Sequence, residues 1–90
     1  MASVKRISLG KDGIKMNHII EKKVGRNIRT LREMNKMTQE TLSIKLQLKG
    51  CDITRSAVAK IEVGQRHLYP DEIILIKEIL DVSYDDIFEI

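Results

Sequence analysis

Aromatic residues are nearly absent from this chain of 90 residues: there is no tryptophan, and only Tyr69, Tyr84 and Phe88 carry an aromatic ring. Stacking of unpaired bases on aromatic platforms therefore has little to build on, and a core has to be assembled from Ile, Leu, Val and Met. Cysteine occurs once, at Cys51, which excludes an internal disulfide framework. No secretory leader is visible, and the most apolar run, residues 73–80, is broken by Lys77 and Glu78 and is far too short to cross a bilayer. The expectation is a cytoplasmic protein with no membrane partner.

Signs of catalysis are missing as well. His18 and His67 have no cysteine or carboxylate at metal-ligand spacing, and Cys51 has no paired histidine to make it a nucleophile. Neither a glycine loop for cradling phosphates nor a dinucleotide fingerprint occurs. An enzyme, a bound metal and a cofactor are not expected.

What the chain does have is enough apolar content, 42%, to fold as one small domain with a single core. Its charge is polarised. The net +3 conceals +7 over residues 22–69, −6 over residues 70–90 and +2 over residues 1–21. A basic middle segment suits neutralisation of phosphates, whereas the acidic end would be repelled by them. Scattered solubilising charge is the plainer alternative.

The basic segment contains the most informative stretch, residues 38–64, TQETLSIKLQLKGCDITRSAVAKIEVG. It scans as two short helices separated by a glycine turn, the layout of a helix-turn-helix that reads duplex DNA. Thr38 is a natural N-cap for the first, which carries Leu42 and Leu46 four apart on one face. The second starts at Thr54 and buries Val58 and Ile61, with Ala57 and Ala59 as further packing positions. Arg55, Ser56 and Lys60 remain outward. Arg55 has the geometry for a bidentate pair with guanine or for a phosphate; Ser56 tolerates several bases; Lys60 reaches a base or a phosphate. Thr54 is both a cap and a candidate contact to the DNA backbone.

Together with VGRNIRTLREMNKM before it and VSYDDIF after it, this stretch resembles the phage-repressor or Cro-type (XRE) helix-turn-helix family over roughly residues 22–88. The resemblance implies an all-α, lambda-repressor-like compact bundle of about five helices whose third helix enters the major groove, used in transcriptional control as a homodimer. It also implies that Gln39 touches the DNA backbone, with a merely solvated glutamine as the alternative. Arg32 is expected to pair with Glu62 and tie the first helix to the third; two solvated charges that never meet are the alternative. The loop Gln65, Arg66 and His67 resembles the family's backbone-contacting loop, although His67 also fits an ordinary exposed histidine. One departure stands out: Leu48 to Asp52 extend the turn of the helix-turn-helix by about five residues.

Around this motif, Val24, Ile28 and Leu31 form a stripe on a first helix over about 24–35. Gly64 ends the third helix, and Pro70, Asp71 and Glu72 open a fourth carrying Ile73, Ile76, Ile79 and Leu80. Ser83 caps a fifth with Ile87 and Phe88, of which Phe88 is expected in the core. Residues 1–21 are read as a flexible arm ahead of a domain over 22–90, with Lys5, Arg6, Lys11 and Lys15 available to phosphates. Met16 offers an alternative start, which would make the residues before it an addition. Two functions fit: a regulator that binds double-stranded DNA sequence-specifically as a phage-type repressor dimer, or an antitoxin or adaptor that grips a protein partner through its last two helices.

Overall fold

The computed structural model describes residues 10–89, with side chains from His18 onward. It contains five helices: α1 Gly10–Met34, α2 Gln39–Leu48, α3 Arg55–Glu62, α4 Pro70–Leu80 and α5 Tyr84–Phe88. There is no strand among the described residues. The chain is all-α, and α3 packs chiefly on α1 and α2, while α5 packs on α1 and α4 on α2.

Local chemistry sets most of the helix starts. Thr38, Thr54 and Ser83 are extended N-caps whose hydroxyls accept from the N–H of Thr41, Ala57 and Asp86, each satisfying a donor that no carbonyl of the helix reaches. Pro70 occupies the first turn of α4, where its missing N–H costs nothing. The stops are equally local. After α2 and α3, Gly50 and Gly64 adopt φ of 86° and 79°, and paired bonds such as Gly64 N–H to Ile61 and Gln65 N–H to Lys60 close the last turn.

One core holds the bundle: Val24 and Ile28 of α1, Leu42 and Leu46 of α2, Val58 and Ile61 of α3, Ile76 and Leu80 of α4, Ile87 of α5, and Ile53 from the α2–α3 connection. Gly25 is what lets α1 and α3 approach. A Cβ built there would lie 2.2 Å from the carbonyl oxygen of Ile61 and 2.9 Å from that of Glu62, closer than any side chain tolerates. Two asparagines, Asn27 of α1 and Asn35 just past its end, then fasten the far helices. Asn27 Nδ2 donates to the carbonyls of Ile87 and Glu89 at 2.9 and 2.8 Å, and Asn35 Nδ2 donates to Leu80 at 3.1 Å.

Two expectations need correction. The first helix begins at Gly10 rather than near Val24, so residues 10–21 of the expected arm are helical. Ile19, Ile20, Lys22 and Lys23 on this stretch are exposed, and a helix that propagates past its core leaves no apolar stripe to recognise. Lys5 and Arg6 lie outside the described residues, as do the side chains of Lys11 and Lys15. Phe88 is not in the core: it is 43% exposed while its neighbour Ile87 is fully buried. A five-residue helix presents only one position squarely to the interior, and Asn27 holds the chain so that Ile87 occupies it.

Candidate nucleic-acid interface

α3 is eight residues long, about 12 Å of helix, and a helix about 10–12 Å across with its side chains fits a major groove about 12 Å wide. Its inner face is committed to the core through Val58 and Ile61. Arg55, Ser56 and Lys60 are all exposed. Ser56 and Lys60, four apart, share one face, and Arg55 extends from the first turn. No acidic residue lies in that turn, so its positive dipole end and the Arg55 guanidinium act together on an anion. Thr54 Oγ1 accepts from Ala57 N–H at 3.1 Å, and the hydroxyl proton is left to donate outward.

Behind this face lies a buried polar junction. Arg32 Nε donates to Glu62 Oε2 at 2.7 Å and Arg32 Nη2 to Glu62 Oε1 at 3.1 Å, a fork-to-fork pair whose side chains are 8% and 1% exposed. Arg32 Nη1 donates to the carbonyl of Met37 at 2.6 Å, and Gln39 Nε2 donates to Glu62 Oε1 at 3.0 Å. The hydrogen bonds to Glu62 hold the guanidinium charged beyond its ordinary range, against the opposing effect of burial. Glu62 sits at the C-terminal end of α3, where the helix dipole disfavours an anion, so the Arg32 cation is what makes its place tenable. The junction ties together the end of α1, the start of α2 and the end of α3.

Gln39 is therefore engaged on one side only. One amide proton goes to Glu62, and the second, with the free N–H groups of the first turn of α2, is available to a phosphate. Lys36, Gln39, Arg29 and Arg55 line one open cleft, which brings the start of α2 and the start of α3 to the same surface.

The loop after Gly64 behaves differently from expectation. Arg66, expected on a phosphate, forms a bidentate pair with Glu72: Nη1 to Oε1 at 2.9 Å and Nη2 to Oε2 at 3.1 Å, with a further bond from Nη1 to the carbonyl of His67 at 2.9 Å. Its donors face its own chain. The partner was hidden in the sequence because Glu72 also fits a helix start, and it does accept from Tyr69 N–H at 3.0 Å. Burial works against the Glu72 carboxylate, but Arg66 and that N–H outweigh it and hold its pKa below the ordinary value. His67 is exposed and its Nδ1 lies against a Glu21 carboxylate oxygen of α1; Gln65 is exposed. Cys51 is half-buried, and burial, followed by the nearby Glu72 and Asp71 charges, pushes its thiol pKa up.

A helix-turn-helix family model matches residues 28–87. The chain belongs to the helix-turn-helix family. It is a DNA-binding transcriptional regulator of the XRE type. Among solved structures it is similar to the restriction-modification controller protein C.AhdI from Aeromonas hydrophila, with a TM-score of 0.69 and 29% identity over 80% of this chain and 97% of that one. No curated protein matches. Among the described residues of this helix-turn-helix protein, no helix is long and apolar enough to cross a membrane.

Proposed function

We propose that this helix-turn-helix protein is a sequence-specific regulator that binds a pseudo-palindromic operator as a homodimer, each copy placing α3 in a major groove. Arg55 and Ser56 read bases, Lys60 reads a base or holds a phosphate, and Gln39, Thr54 and Gln65 hold the DNA backbone. The observation that carries the reading is the convergence of the exposed Arg55 on α3 and the first turn of α2 with Gln39 on one cleft, above a junction that fixes both helices. Arg66 is left out of the contact set because Glu72 occupies it.

A homodimer is favoured by apolar side chains left outside the core: Ile20 of α1 and Phe88 of α5 are 39% and 43% exposed and border one shallow groove. The acidic α4 and α5 are not the main neighbours of α3, which suits an acidic surface turned away from phosphates. The likeness to a restriction-modification controller favours control of genes of that kind over a phage repressor. Both settings use the same device, occupancy of an operator set by the concentration of a small protein.

Selection from a random duplex library at two salt concentrations tests this. Enrichment of a motif with twofold symmetry is the expected result; weak, strongly salt-dependent binding with no motif would overturn sequence-specific recognition. On the selected duplex, Arg55→Ala should weaken binding by about 1–3 kcal/mol and relax preference at one position per half-site. Unchanged affinity would remove Arg55 as a base reader.

A further inference from the structure

On the reading that α2 and α3 lie against DNA, we propose that Lys36 is an additional backbone contact, placed at the mouth of the cleft by a left-handed residue that terminates α1. Lys36 has φ 56°, a conformation that a side chain makes costly. It is the pivot of the stop signal of α1: its N–H donates to Glu33 at 2.9 Å, and Met37 N–H reaches back to Arg32 at 3.1 Å. Gly50 holds the equivalent position after α2 with open space where a Cβ would be, which shows what backbone demand alone selects in this chain; Gly64, after α3, also answers to Lys22, 2.9 Å from where its Cβ would lie. Asp81 also has a positive φ, 57°, but a short polar side chain is among the few that tolerate it. Lysine has no such compensation, so its presence points to work done by its side chain.

The position of that side chain says what the work is. Lys36 is exposed and lines the same open cleft as Gln39 and Arg55. Among the described residues it takes part in none of the salt bridges. Glu33 and Glu40 also border the cleft, and Glu33 is occupied by Arg29 at 3.2 Å. The ammonium of Lys36 thus faces a surface where the free N–H groups of α2 and the Arg55 guanidinium already favour an anion. A DNA phosphate drawn to this cleft is attracted by all three, against the Glu40 carboxylate that also lines it. Such a contact carries no base information, so it strengthens binding to every sequence alike and sets the register in which Arg55 meets its base pair.

Substitution of Lys36 moves stability and binding in opposite directions. Lys36→Gly relieves the left-handed backbone and should raise the melting temperature by roughly 2–5 °C. The same change removes one phosphate contact per copy. Binding should fall about eightfold per contact at 0.1 M salt, and the slope of log K against log salt should flatten by about 0.9 per contact. Titrations use the selected duplex and a scrambled duplex of equal length, both of which should weaken by the same factor. Lys36→Asn, neutral and compatible with the same backbone, should match the loss, and Lys36→Arg should keep the wild-type slope. A Lys36→Gly protein that melts higher yet binds both duplexes with the wild-type affinity and slope would overturn the proposal. Failure of the wild-type protein to prefer the selected over the scrambled duplex would instead overturn sequence-specific recognition, and leave the slope test of Lys36 standing on the scrambled one.

Discussion

Removing Glu62 should be far more damaging than removing any exposed acid, and the structure gives the size. Its side chain is 1% exposed and accepts three hydrogen bonds, two from Arg32 and one from Gln39. Glu62→Ala leaves the Arg32 guanidinium, itself 8% exposed, with the Met37 carbonyl as its hydrogen-bond partner and the exposed Glu33 carboxylate 4.0 Å away. Stripping one partner from a buried, hydrogen-bonded pair costs about 3–5 kcal/mol, against about 0–1 for an exposed pair. For a domain of this size the whole stability is about 5–10 kcal/mol, so the melting temperature should drop by roughly 15–30 °C. Urea unfolding followed by circular dichroism measures the change directly, with an unaltered m-value as the check that the unfolded state is the same. The double substitution Arg32→Met with Glu62→Leu removes both charges and should recover most of the loss, because no charge is then left stranded. Added salt should change neither result much, since water does not reach the pair. A Glu62→Ala loss below about 1 kcal/mol, or a double variant no better than the single one, would refute the argument that burial makes this pair matter.

Gly25→Ala should destabilise by about 2 kcal/mol or more in the same unfolding assay: the gain of about 0.5–1 kcal/mol from a better helix former is smaller than the cost of forcing a Cβ against the Ile61 carbonyl. A neutral result would mean that α1 shifts freely. Acid should weaken the fold through Glu72, whose folded pKa lies below its ordinary value of 4.5; its contribution is complete above that value and is lost as pH falls through the folded one. Glu72→Gln should flatten that limb of the stability–pH curve. The Cys51 thiol, pushed up by burial and by neighbouring carboxylates, should react with a disulfide reagent at pH 8 several-fold more slowly in the native protein than in urea.

Much of this architecture is written in short-range signals, and these were legible. Thr38, Thr54, Ser83, Pro70 and Gly64 act within three or four residues of themselves, so their roles as caps and stops follow from the chain alone. What escaped depends on distance. Ile53 in the connection and Asn27 on α1 carry no periodic signature, yet one is buried and the other bonds residues some sixty positions away. Gly25 reads as a weak spot in a helix until the carbonyls of Ile61 and Glu62 are seen beneath it. Arg66 fitted a phosphate, and its pairing with Glu72 is visible only in the fold. The start of α1 at Gly10 lies far ahead of the Val24 stripe, and the exposed Ile19, Ile20, Lys22 and Lys23 between them leave no pattern that extends it. Of the candidate interface, Arg55, Ser56 and Lys60 could be named from α3's own periodicity, whereas Lys36 stands out only through its backbone angle.

The extended turn raises the question of how α3 keeps a defined angle when residues 49–54 separate it from α2. A longer link by itself loosens orientation, and base readout needs donors placed to within a fraction of an ångström. The structure anchors α3 at both ends, by the last residues of the link and by its own last turn. Before its first turn, Ile53 is buried, and its carbonyl accepts from Ser43 Oγ at 2.7 Å and from Gln47 Nε2 at 3.0 Å. At its last turn, Glu62 is locked to Arg32 and Gln39. These anchors are about 13 Å apart along the helix, so a slip of 1 Å at either one tilts the axis by only about 4°. Gly50, at φ 86° and with nothing within 4 Å of where its Cβ would be, sits in the slack between the end of α2 and the first anchor. α3 therefore takes its angle from the buried Ile53 and from side chains of α1 and α2, and the residues of the turn before Ile53 need not set it.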